Sequence, residues 1–119
     1  MNEGDVVLTP LPQANGPPKN RPALILREMP PFGDFLVCGI STQVHQAVAG
    51  FDEVVSRLDD DFGESGLLAD SVIRLGFLAV VPRKRLLGSI GKIDGSRHVR
   101  LLRNLSRHLL ADIARTSSQ

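Results

Sequence analysis

Gly4-Asp5-Val6-Val7-Leu8, followed by Lys19-Asn20-Arg21-Pro22-Ala23-Leu24-Ile25-Leu26, sets a short apolar strand, a Gly/Pro-rich polar loop and an arginine at the mouth of a second strand. Residues 5–10 alternate weakly and read as a strand. Residues 11–20 carry Pro12, Gly16, Pro17 and Pro18. They read as a loop, because proline offers no N–H to a sheet ladder. Residues 23–27 are a short apolar run bounded by proline and read as a buried strand. This order puts cationic side chains on an anchored loop, a place suited to gripping a phosphate.

Outward from that stretch, Pro30-Pro31-Phe32-Gly33-Asp34 is a turn and residues 35–41 are a third strand. Residues 43–65 lack clean periodicity and form the longest irregular stretch, in which residues 52–58 suit one or two helical turns. Residues 70–81 are strongly apolar but interrupted by Gly76. They read as two strand segments meeting at a bulge or bend. Residues 82–86 suit a short turn of helix, and residues 89–93 a further strand. The last element is a helix capped by Asp94 or Ser96 and running to about residue 114. Leu101, Leu102, Leu105, Leu109 and Ile113 make its apolar face. Arg97, Arg100, Arg103 and Arg107 fall on the opposite arc, expected in water, with His98 and His108 at the helix surface. Residues 116–119 read as a frayed polar tail. The expectation is one mostly β domain over residues 1–119: a small SH3-like barrel of short antiparallel strands capped by a C-terminal α-helix. Periodicity alone leaves other small α+β folds open.

Composition narrows the function. The chain has 119 residues, 42% apolar, enough for a single modest core. It has no Trp or Tyr and five Phe, so only phenylalanine is available to stack on a base. Cys38, the sole cysteine, lies in the apolar run Phe35-Leu36-Val37-Cys38 and reads as a core residue. It forms no internal disulfide, as suits a reducing cytosol. No apolar run approaches the roughly 20 residues of a membrane span, and the N-terminus lacks a signal-peptide pattern. A cytoplasmic location without membrane contact is expected. The net charge of +1 hides an asymmetry. Residues 52–64 hold Asp52, Glu53, Asp59, Asp60, Asp61 and Glu64 against Arg57 alone, whereas residues 74–115 are rich in Lys and Arg. That contrast reads either as a surface for an anionic partner or as a solvated helix face beside an acidic loop. No His-Glu-x-x-His, paired-cysteine, Walker or dinucleotide pattern occurs, so no metal and no cofactor are expected. Asp59-Asp60-Asp61 reads as a solvated acidic turn.

Four segments, in order and spacing, resemble the MazF/PemK family of toxin ribonucleases from bacterial toxin–antitoxin pairs. They are Gly4-Asp5-Val6-Val7-Leu8; Arg21-Pro22-Ala23-Leu24-Ile25-Leu26; Ile40-Ser41-Thr42-Gln43; and Gly66-Leu67-Leu68 through Ser71-Val72-Ile73-Arg74-Leu75. Leu87-Gly88-Ser89-Ile90-Gly91 is similar to the family's last strand before its helix. The resemblance implies a helix-capped SH3-like barrel, a homodimer, metal-independent cleavage of single-stranded RNA at short sequences, and a neutralising antitoxin. Such cleavage uses the RNA 2′-hydroxyl as nucleophile. It needs a base for that proton, an acid for the leaving 5′-oxygen, and cations on the phosphate.

Arg21 matches the family's active-site arginine before proline, and its planar charged fork suits a phosphate. Lys19 and Asn20 are its neighbours as phosphate- or RNA-binding candidates. Ser41 and Thr42 match a hydroxyl-bearing strand end suited to a phosphate oxygen, or to satisfying a turn. Gln43 is a candidate for a base edge. Arg74 falls where one branch of the family has a second catalytic arginine. In that branch an acid follows two positions later; here the position is Gly76, with Phe77 and Ala79 in place of polar residues. The branch's first-loop histidine is also absent, which leaves His45 as the candidate imidazole for the general base. Three readings therefore stand: an endoribonuclease toxin, a catalytically weak or inactive RNA- or protein-binding module of the same fold, and a gyrase-poisoning toxin acting by protein contact.

Overall fold

The computed structural model describes residues 1–11 and 16–117, with the side chains of the last helix described through residue 111. Six strands form one antiparallel sheet: β1 (Asp5–Leu11), β2 (Lys19–Met29), β3 (Asp34–Ser41), β4 (Glu53–Val55), β5 (Ser71–Val81) and β6 (Gly88–Lys92). Their order is β4-β5-β3-β2-β1-β6. A short helix α1 (Phe62–Ser65) precedes β5, and a long helix α2 (Gly95–Ser117) follows β6. The sheet curls into a half-barrel with a C-terminal helix, consistent with the small helix-capped barrel expected.

Curling is visible in the burial of the central strands. Ala23, Leu24, Ile25 and Leu26 are all fully buried, although alternate residues of a strand point to opposite faces. Each face therefore has its own core. Leu24, Cys38, Ile40 and Ile73 pack with Leu101 and Leu105 of α2, while Ala23, Ile25, Phe35, Val37, Val81 and Leu86 form a second cluster. Cys38 is fully buried. Burial pushes its thiol up to about 12, with the Asp52 carboxylate adding to the rise.

The strand boundaries depart from the sequence reading where pairing, not periodicity, decides them. Lys19 and Asn20 were expected in the loop but belong to β2, paired with Leu11 and Pro10. The rest of that loop includes residues 12–15, which lie outside the described residues. The turn of helix expected over residues 52–58 is instead β4, because Glu53, Val54 and Val55 pair with Ile73, Val72 and Ser71. The bend expected near Gly76 is present as an interruption of register within one strand. Cys38 pairs with Leu78, yet Gly39 pairs with Arg74, so Leu75, Gly76 and Phe77 are extra residues on β5. Short 3₁₀ turns occupy Val44–Gln46 and Arg83–Arg85.

Helix α2 begins after Asp94, whose carboxylate accepts from the Ser96 N–H at 3.2 Å and from the Ser96 hydroxyl. That is the N-cap role expected of it. The hydroxyl bond from Ser96 holds the Asp94 carboxyl below its usual range. The helix runs to Ser117, longer than the sequence reading, so Thr116 and Ser117 are helical and only residues 118–119 lie outside the description. Among the described residues no helix is long and apolar enough to cross a membrane.

The largest correction concerns the charges. Arg97 is buried, not on a water-facing arc. Its Nε and Nη2 form a two-pronged bond to Asp61, at 2.8 and 3.0 Å. Nη1 reaches Glu53 at 3.1 Å and the Val54 carbonyl at 2.9 Å, and Nη2 also reaches Asp59 at 3.0 Å. Arg100 pairs with Glu53 as well. Glu53, Asp59 and Asp61 of the acidic stretch are thus counter-charges of the helix arginines, and Asp61 is a buried acceptor, not part of a solvated turn. Arg97 holds the Asp61 carboxyl below its usual range. His98 is half-buried, with Nε2 at 2.8 Å from the Leu26 carbonyl, and so is not a surface residue. His108 is exposed, its ring 5.0 Å from that of Phe51.

Candidate functional site

Three adjacent strands bring the candidate cations together. Ala23 of β2 pairs with Gly39 of β3. The same antiparallel register, carried on by two residues, brings Arg21 level with Ser41. On the other side of β3, Gly39 pairs with Arg74 and Ser41 with Val72 of β5. Arg21, Ser41 and Arg74 therefore line one cleft, of about 180 Å³, together with Leu11, Gly39, Ile40 and Phe77.

The local sequence explains each placement. Pro22 fixes the backbone just inside the strand, beside the exposed Arg21. Ser41 ends β3, and its Oγ accepts from the Gln43 N–H at 3.0 Å. That bond fixes the oxygen and leaves its hydroxyl proton to be donated outward. Arg74 Nη1 donates to Gln46 Oε1 at 3.3 Å, so the 3₁₀ turn after β3 steadies the second guanidinium. Phe77 lies against Gly39: a Cβ there would come within 3.2 Å of the ring.

Two guanidinium groups, with no carboxylate among the described lining residues, give the cleft a chemistry suited to an anion. The other candidates lie around it. Lys19 and Asn20 are exposed on β2, and neither lines the cleft. Thr42 lines a neighbouring apolar groove of about 410 Å³ with Leu67, Leu68 and Ile90, a groove that shares Ile40 and Ser41 with the cleft. Gln43 is exposed and contributes its backbone to Ser41. His45 is exposed on the 3₁₀ turn and does not line the cleft. Sequence reasoning missed two residues. Gln46 gave no signal, because its link to Arg74 spans 28 positions. Phe77 stood out only as an aromatic where a polar residue was expected.

Residues 2–109 match the family described as PemK-like, MazF-like toxin of type II toxin-antitoxin system. The chain belongs to this family. A search of curated proteins returns no match. Membership places a toxin of the PemK/MazF kind, with an antitoxin as its counterpart, on the six-stranded half-barrel described above. In this PemK-like chain the arginine that precedes Pro22 and the strand-end serine line the same cleft, while Pro22 itself lines the neighbouring groove.

Proposed function

We propose that this PemK-like toxin is a metal-independent endoribonuclease acting on single-stranded RNA. The observation that carries the reading is the convergence of Arg21, Arg74 and Ser41 in one cleft with no carboxylate among its described lining residues. Both guanidinium groups hold the scissile phosphate and offset the charge that builds on it as the 2′-hydroxyl attacks. The Ser41 hydroxyl donates to a non-bridging oxygen. Arg21, two residues inside β2, also stabilises the departing 5′-oxygen, which takes its proton from solvent. The products are a 2′,3′-cyclic phosphate, opening to a 3′-phosphate, and a 5′-hydroxyl. His45 is the candidate to take the 2′-hydroxyl proton when RNA is bound. The protein works in the cytoplasm as a homodimer with a two-fold interface, and its antitoxin blocks RNA access.

A second reading is favoured by the absence of any carboxylate or imidazole among the described residues lining the cleft. On that reading the chain binds RNA without cutting it, and binding weakens steeply with salt. One experiment separates the two. Purified protein and Arg21→Ala are incubated with long single-stranded RNA in EDTA and the cut sites mapped. Discrete cuts by the wild type, reduced roughly 10²- to 10³-fold in Arg21→Ala, support the ribonuclease. Salt-sensitive binding by the wild type without product supports the binding module.

A further inference from the structure

We propose that Phe77 is the platform on which a nucleobase stacks beside the phosphate held by Arg21 and Arg74. The inference rests on the RNA-binding reading above and adds the residue that engages the base. In a regular strand, residues three apart point to opposite faces. Arg74 and Phe77 are three apart on β5, yet both line the same cleft. The cause is the interruption of register: Leu75, Gly76 and Phe77 have no partners on β3, and the extra length turns Phe77 back toward Arg74. Gly39 completes the arrangement, because its missing side chain lets the ring lie against β3 backbone at the cleft floor.

The ring is half-buried. One part packs, with Ala79, against the cluster that holds Phe35 and Val37, and the remainder forms cleft wall. No other aromatic residue takes that place. Phe35 is buried in the core, and Phe51 and Phe62 pack against the core beneath α2. Phe32 is exposed on the β2–β3 turn, at the far end of both strands from Arg21 and Ser41. With no Trp or Tyr in the chain, Phe77 is, among the described residues, the sole aromatic face beside the cationic pair. An aromatic surface beside a phosphate clamp is the pairing that engages single strands, whose bases are free to leave their own stack. Every base has a π-face, so Phe77 contributes hold and orientation of the strand rather than choice of base.

The test uses the full chain and a labelled single-stranded hexanucleotide carrying 2′-O-methyl groups. These remove the nucleophile, so only binding is read, by fluorescence anisotropy. A parallel set of oligonucleotides lacks one base at a time. Wild type is expected to lose roughly 5- to 150-fold in affinity when one particular base is missing, the range of a single stacking contact. Phe77→Leu, which fills much of the same core volume, is expected to bind the complete oligonucleotide more weakly and to be indifferent to that base. Phe77→Tyr, which keeps the face, is expected to bind like wild type. Thermal unfolding checks that each variant is folded, and Phe77→Met replaces Phe77→Leu if the latter is not. If the folded apolar variant loses as much as wild type on removal of that base, the platform is overturned and RNA binding stands. No binding of the complete oligonucleotide by wild type overturns both.

Discussion

Replacing Arg97 by methionine is expected to remove a large fraction of the stability of this fold without touching the cleft. All five N–H donors of the guanidinium are engaged: two by Asp61 and the rest by Glu53, Asp59 and the Val54 carbonyl. Asp61 is only 8% exposed, so without Arg97 its carboxylate is stranded in the protein, retaining the Asp94 N–H at 3.0 Å. Glu53 and Asp59 are wetter and recover water more readily. Breaking a buried pair from one side costs about 3–5 kcal/mol. A domain of this kind has about 5–15 kcal/mol in total, so Tm should fall by roughly 12–20 °C. The assay is urea unfolding followed by far-UV circular dichroism, since the chain has no Trp for fluorescence. Adding Asp61→Asn removes the stranded charge and should return about 1–2 kcal/mol of the loss. The pH dependence has a definite sign. The Asp61 carboxyl lies below its usual range because Arg97 bonds it. The stability it contributes is therefore present above an unfolded value of about 3.9 and is lost as pH falls through the folded value. Arg97→Met should flatten that acid limb. A variant within about 1 kcal/mol of wild type, with the acid limb unchanged, would refute the reasoning.

Two further outcomes follow from packing. Gly66 has φ +74°, and a Cβ there would come within 2.0 Å of the Ile90 carbonyl oxygen, where α1 meets β6. Gly66→Ala should destabilise by about 2 kcal/mol or more, read by the same denaturation, because both strain and clash oppose it; an unchanged midpoint would show that α1 is free to move off β6. The Cys38 thiol, pushed up to about 12 by burial, should resist alkylation at pH 8 until the chain unfolds. Because the unfolded thiol ionises near 8.5, stability should decline as pH rises from there toward the folded value. Fast labelling of native protein would contradict the burial.

The amino-acid sequence by itself determined the strands that alternate or run continuously apolar, the bend near Gly76, the capped terminal helix and the place of Arg21 before Pro22. These follow from local rules: side-chain period, the missing N–H of proline, and the capping carboxylate of Asp94. Tertiary structure decided what depends on distant partners. The three residues of β4 carry no period long enough to read, and their pairing with β5 makes them a strand. A helical wheel sets Arg97 among the polar residues, and only the approach of Asp61, 36 positions away, places it inside. Arg74 and Phe77 share a cleft because three residues of β5 lack partners on β3, a length difference that neither strand shows alone. The gathering of Arg21, Ser41 and Arg74 likewise required the strand order, since a cleft exists only where the sheet brings its neighbours side by side.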